Sequence, residues 1–167
     1  MILRAARAAL FTTGLIAGFA SGVSAQTEVS TLTVTGGSTI AFANPTFADY
    51  VTGYIDGPTI TFTASTVGGG SQPRTLAVEI CATNATLGSG KAVSMLMWQP
   101  TDNSLPYQSM STGCSAPGIV STRVVGAQAI SRGNSWSGGI RLRLMLDWTD
   151  AAASYGTPIE LALTVAP

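Results

Sequence analysis

Along residues 139–148, Gly-Ile-Arg-Leu-Arg-Leu-Met-Leu-Asp-Trp, apolar and polar side chains alternate with a period of two. Ile140, Leu142, Leu144, Leu146 and Trp148 share one parity, while Arg141, Arg143 and Asp147 share the other. Side chains on a strand point alternately to opposite faces, so this segment buries one apolar face as a β-strand and keeps its charges in water. Wound as a helix, the same residues would scatter the apolar set around the whole circumference. The pattern therefore predicts a strand, with Trp148 at its inward end.

Most of the chain repeats that alternation. Leu32, Val34, Ile40 and Phe42 keep one parity across Gly36-Gly37, which predicts two short strands or one kinked strand. Asn44-Pro45 opens a loop carrying Phe47, Asp49 and Tyr50, and Asp56-Gly57-Pro58 reads as a turn. Residues 59–66 place Ile60, Phe62 and Ala64 inward and Thr59, Thr61 and Thr63 outward, where β-branched threonine suits a pleated solvent face. Gly68-Gly69-Gly70-Ser71 is a loop, and residues 74–82 form a strand burying Leu76, Val78 and Ile80. Residues 93–98 are apolar on both faces and predict a central strand. Residues 100–117 are irregular, residues 119–127 form a weaker strand, and residues 132–135 turn the chain. After a corner at residues 150–156, Ile159, Leu161, Leu163 and Val165 make a last alternating strand. Seven or eight strands, turns at regular intervals and no convincing amphipathic helix predict an all-β fold. The expected architecture is a single antiparallel β-sandwich, Ig-like or pilin-like.

The N-terminus changes where that fold is expected to work. Arg4 and Arg7, an apolar stretch over residues 8–19 and the small residues Val23-Ser24-Ala25 are the parts of a signal peptide over residues 1–25. The apolar stretch falls short of the ~20 residues that span a bilayer. The expectation is an exported product, in the periplasm, at the cell surface or outside the cell, with a sandwich over residues 26–167 and no transmembrane segment after cleavage. Loss of Arg4 and Arg7 leaves six basic against eight acidic side chains, a net charge of −2. That balance excludes the clustered positive charge that nucleic acid requires. In an exported chain the two cysteines, Cys81 and Cys114, are most simply one disulfide, stabilising the fold by roughly 3–4 kcal/mol on the chain-entropy estimate. The competing reading is two free thiols or half of a metal site, although zinc would need further Cys or His ligands.

The chain contains no histidine. That removes the commonest general base and metal ligand, and with them any Ser-His-Asp or Cys-His arrangement. The eight acids are scattered, so a glycosidase pair has no signature in the spacing. The expectation is a non-enzyme without catalytic residues, cofactor or metal. Gly88-Ser89-Gly90-Lys91 lacks the Ser/Thr and the first glycine of a phosphate loop and reads as a hairpin turn. Asp147 and Asp150, with Thr149, offer oxygens to calcium, against which stands a simple turn cap, because Ca²⁺ wants 6–8 ligands. Asn84-Ala85-Thr86 is a formal glycosylation sequon. Of the three tryptophans, Trp98 and Trp148 are expected in the core. Trp136, between Ser135 and Ser137, is expected to be exposed in a turn. With Tyr50, Tyr54 and Tyr107 in loops, it would form a ligand surface suited to a glycan.

Together with an exported single-disulfide sandwich, Leu105-Pro106-Tyr107-Gln108 and the closing Tyr155-Gly156-Thr157-Pro158-Ile159 resemble spore coat protein U-type domains, the subunits of archaic chaperone–usher pili. Residues 48–53 give a broader likeness to uncharacterised bacterial secreted sandwich domains. The first resemblance implies a polymerising or surface-displayed subunit that accepts a strand from its neighbour by β-augmentation. The candidate donor is residues 26–35, with Val29, Leu32 and Val34 filling a groove. The alternative is that this segment is the first strand of its own sheet. The expected function is a non-catalytic, exported structural or adhesive surface subunit with protein partners or self-association. The alternatives are a carbohydrate- or ligand-binding module, or an accessory subunit of a larger extracytoplasmic complex.

Overall fold

The computed structural model of the chain describes residues 29–36, 39–67, 73–112, 114, 116–125 and 134–166. The signal-peptide reading and the first three residues of the candidate donor segment lie outside these. In chain order the strands are β1 (Val29–Thr35), β2 (Thr39–Phe42), β3 (Tyr54–Val67), β4 (Arg74–Ala82), β5 (Leu96–Pro100), β6 (Gln108–Ser109), β7 (Gly118–Val125), β8 (Asn134–Met145) and β9 (Tyr155–Ala166), with one short helix, α1 (Phe47–Thr52). They form a five-stranded sheet, ordered β1-β3-β8-β5-β6, packed against a four-stranded sheet, ordered β2-β9-β4-β7. The strand ladders are antiparallel, so the fold is the β-sandwich that the alternation predicts.

Register explains the core. Strand β8 pairs with β3 on one side (Ile140 opposite Ile60, Leu144 opposite Ile55) and with β5 on the other (Leu142 opposite Trp98, Leu144 opposite Leu96). Ile140, Leu142 and Leu144 are buried, and so is Trp98, as its place in an apolar run implies. Ile40, Phe42, Val78, Ile80, Tyr155 and Ile159 close the same core from the other sheet. Arg141 is exposed, and Arg143 lies half-buried on the outer face.

The interruption at Gly36-Gly37 marks a change of sheet, because β1 belongs to the five-stranded sheet and β2 to the four-stranded one. Gly36 makes the switch at φ +113, a conformation that side-chain-bearing residues rarely adopt. Asp56-Gly57-Pro58, expected to be a turn, instead lies within β3 as an irregularity where the register slips between Asp56 and Thr59. A Cβ on Gly57 would stand 2.6 Å from the Phe42 ring, so the glycine permits close packing between the sheets.

Residues 93–98 do not make one central strand. Val93–Met95 is a 3-10 turn and only the rest enters β5, which is next to last in its sheet. Helix α1 was also unexpected. Its six residues are too few to show an apolar helical period, and Thr46 and Asp49 cap it reciprocally in the manner of a capping box. The 3-10 turn at Gly88–Gly90 reverses the chain, with Thr86 and Ala92 bridging antiparallel, in keeping with the hairpin reading.

The disulfide is Cys81–Cys114, with Cα atoms 5.1 Å apart. It ties β4 to the long excursion between β5 and β7, beside the Ala82 N–H that donates to Ser111 O at 3.0 Å. Among the described residues no helix is long and apolar enough to cross a membrane. If the β8 stripe holds the sheets together, Leu144→Ala should lower the unfolding free energy by about 2–5 kcal/mol. Arg141→Ala, one register position class away on the solvent side, should cost less than about 1 kcal/mol. Urea unfolding of the two variants checks both values.

Candidate functional site

Two surfaces stand out: the end of the sandwich where β8 stops, and the edge where β1 begins. Strand β8 ends at Met145 because the next residues satisfy their polar groups locally. Leu146 N–H still donates across to Gly53 O at 2.8 Å, and the local bonds begin at Asp147. Asp147 Oδ1 accepts from Thr149 N at 2.7 Å and from the Thr149 hydroxyl at 2.5 Å, an aspartate-closed turn. Asp150 Oδ2 accepts from Asp147 N at 2.7 Å and pairs with Lys91 Nζ at 2.5 Å. The Lys91 and Asp150 side chains are only 7% and 13% exposed, so the turn rests on a shielded ion pair.

This turn overrides the strand parity one residue before Trp148. Contrary to the expectation of a core position, the indole is 65% exposed. It stacks on Tyr50 with centroids 5.6 Å apart and planes inclined by 22°. Phe47 approaches it at 5.7 Å and 57°. Tyr50 is fixed in turn, its hydroxyl donating to Asp150 O at 3.2 Å. Phe47, 76% exposed, and Val51, 65% exposed, extend the patch along α1. The capping box, with Asp49 Oδ2 accepting from Thr46 N at 2.7 Å, fixes the helix start.

The electrostatics of this end are set by hydrogen bonds. The Thr149 hydroxyl, followed by its backbone N–H, holds the Asp147 carboxyl below its usual range. The Thr46 hydroxyl and backbone do the same for Asp49. Of the two readings of Asp147 and Asp150, the geometry displays the turn cap: Asp147 Oδ1 accepts from Thr149, and Asp150 Oδ2 accepts from Asp147 N and holds the Lys91 ammonium. The two acids act as a turn cap. Cys81, Cys114 and Glu160 have metal-like proximity, but the sulfurs are joined in the disulfide and offer no thiolates.

The ligand surface expected from sequence does not converge. Trp136 is not an exposed turn residue. It lies half-buried in β8 and packs against Leu76 and Val125, with the Arg123 guanidinium 5.9 Å from its ring. Its parity matches Ile140, a signal visible once the strand is extended back to Asn134. Tyr54, at the start of β3, and Tyr107, just before β6, flank Arg143 at 3.7 and 4.5 Å. Arg143 also pairs with Asp56 at 2.7 Å, and that hydrogen bond raises its already high pKa. This assembly fastens the β5–β7 excursion to the outer face of the sheet. Tyr50 alone joins the aromatic end. The sequence signal for that end was the spacing Asp147-x-Thr149-Asp150, which ends a strand.

At the other surface, β1 pairs with β3 from Val29–Val67 to Thr35–Thr61. Leu32, opposite Ala64, is half-buried against the core. Val34, on the same face, is 38% exposed, and Val29, on the opposite face, is 50% exposed. Lateral hydroxyl bonds, Ser30 to Thr66 at 3.0 Å and Thr31 with Ser65 at 2.6 Å, supplement the ladder. In this structure the described part of the segment, Val29–Thr35, is thus the first strand of its own sheet.

Comparison of the chain with protein-family models, with curated proteins and with solved structures found no match.

The depressed Asp49 and Asp147 carboxyls make the aromatic end acid-sensitive. Their stabilisation is fully present above the unfolded aspartate value near ~3.9 and is lost as pH falls through the lower native values. Below about pH 4 the Trp148 indole N–H signal in NMR should broaden or shift before the signals of β8 do. Asp147→Asn should remove much of that transition.

Proposed function

We propose that the protein is a non-catalytic, exported structural or adhesive subunit of a surface assembly, associating with further copies through β1. The observation that carries this reading is the edge itself. Among the described residues, the seven of β1 are paired on one side only, and Val29, Val34 and the neighbouring Val67 keep much of their surface in water. A strand edge of this length, with open backbone groups and apolar side chains, is a template for another strand. The attachment of β1 to its own core is slight, since Leu32 is the residue it packs there, and only half-buried.

Other features support the same reading. Of the eight acids, Asp49 caps α1, Asp56 holds Arg143, Asp102 accepts from Ser104 N, Asp150 holds Lys91 and Glu79 accepts from Thr164. Without histidine, that leaves little from which to build an acid–base pair. The signal-peptide pattern and a structural disulfide favour export into an oxidising compartment. The resemblance to spore coat protein U-type domains supports a polymeric subunit.

Expressed as the full chain in a bacterial host, the protein should be recovered from the periplasm with its N-terminus near Gln26 and should elute as oligomers. Negative-stain images should show extended particles. Leu32→Asp with Val34→Asp should leave monomers. A product that is monomeric with or without these changes would remove the assembly reading.

A further inference from the structure

We infer that the aromatic end is a binding site for a neutral sugar ring, with Trp148 as its stacking platform. The inference supplies a ligand for the adhesive role proposed above and rests on that reading for its setting outside the cell. It uses a different set of residues from the β1 edge.

Three observations carry it. The first is exposure with fixed geometry. Trp148 projects into water while Tyr50 stacks beneath it, Phe47 stands tilted beside it, and the Tyr50 hydroxyl is anchored on Asp150 O. An apolar plane already ordered by its neighbours loses little conformational freedom when a ligand settles on it. The C–H face of a pyranose supplies the flat, weakly polarised partner that an indole face attracts.

The second observation is the chemistry of the rim. Asp147 is exposed, and its Oδ2 has no hydrogen-bond partner among the described residues. Thr149 lies beside it, also exposed. These oxygens accept hydrogen bonds from sugar hydroxyls, and a carboxylate acceptor makes such bonds stronger than neutral ones. Lys91, the cation bonded to this turn, is committed to Asp150. A negative rim with its local cation already paired disfavours phosphate, anionic lipid headgroups and uronic acids, and fits an uncharged polyol.

The third is size. Phe47, Tyr50, Val51 and Trp148 make a patch of four side chains, whereas a stable protein interface engages about 20–30 residues a side. One or two sugar rings match the patch, and a protein partner would need more surface than it offers.

The test is titration of the exported, full-length product with soluble cello-, chito-, manno- and galacto-oligosaccharides, followed by tryptophan fluorescence and calorimetry. Binding of at least one series is expected, with a fluorescence change from the exposed indole. Trp148→Ala should weaken it by about ten-fold or more at unchanged Tm. Trp148→Phe should weaken it less, Asp147→Asn should weaken it several-fold, and Trp136→Phe should leave it unchanged. The site is overturned if none of the four series binds, or if Trp148→Ala binds as tightly as the parent. It is equally overturned if Trp148-dependent binding is seen only with anionic-lipid vesicles or with a protein. The Leu32→Asp, Val34→Asp double variant should still bind sugar as a monomer, so loss of assembly and loss of the sugar site are read separately.

Discussion

Strand β8 sits between β3 and β5, and the inward stripe Ile140, Leu142 and Leu144 is the surface on which the two sheets close. Each of these side chains contributes about 1.5–3 kcal/mol of burial, and their position is set by a period of two that no other register preserves. A one-residue slip of β8 against either neighbour would bring Arg141 and Arg143 inward. The register of the five-stranded sheet is therefore fixed from its middle, and the four-stranded sheet follows by packing Val78, Ile80 and Ile159 against it.

The two candidate surfaces are consequences of where that control ends. At its C-terminal end β8 stops because Asp147, Thr149 and Asp150 satisfy the backbone locally, and the first large side chain released from parity is Trp148. Helix α1 and Lys91 brace the released segment, so a residue that would otherwise be core becomes a fixed external plane. At the lateral end, β1 is hydrogen-bonded, among the described residues, to β3 alone. It inherits the alternation but little of the burial, which leaves an edge suited to pairing. On the outer face of β8, Arg143 clamped between Tyr54 and Tyr107 secures the excursion that the Cys81–Cys114 disulfide ties to the opposite sheet. That excursion is thereby fastened to both sheets.

Much of this was legible in the chain. The inward set of β8, the threonine face of β3, the buried Trp98 and the pairing of the only two cysteines all follow from hydrophobic pattern and composition, which are local or compositional properties. What was not legible depended on partners distant in sequence. Gly57 looks like a turn residue until Phe42 is seen against it across the sandwich. Trp136 looks exposed between two serines, although its parity with Ile140 already pointed inward. Trp148 shares that parity too, and only the hydrogen bonds of the following turn remove it from the core. Helix α1 carried a capping signal in Thr46 and Asp49 but no apolar period, so pattern alone was blind to it. The strand order across each sheet also lay beyond the sequence, because alternation says which face is buried and not which strand is adjacent.

Strand β8 is the centre of the fold and β1 its loosely held margin, and native-state amide hydrogen exchange measures that contrast directly. The slowest amides should be those of residues 140–144 of β8 and their partners in β3, exchanging only through global unfolding, while amides of β1 open at a clearly lower free energy. Protection in β1 equal to that of β8, or fast exchange across residues 140–144, would contradict it.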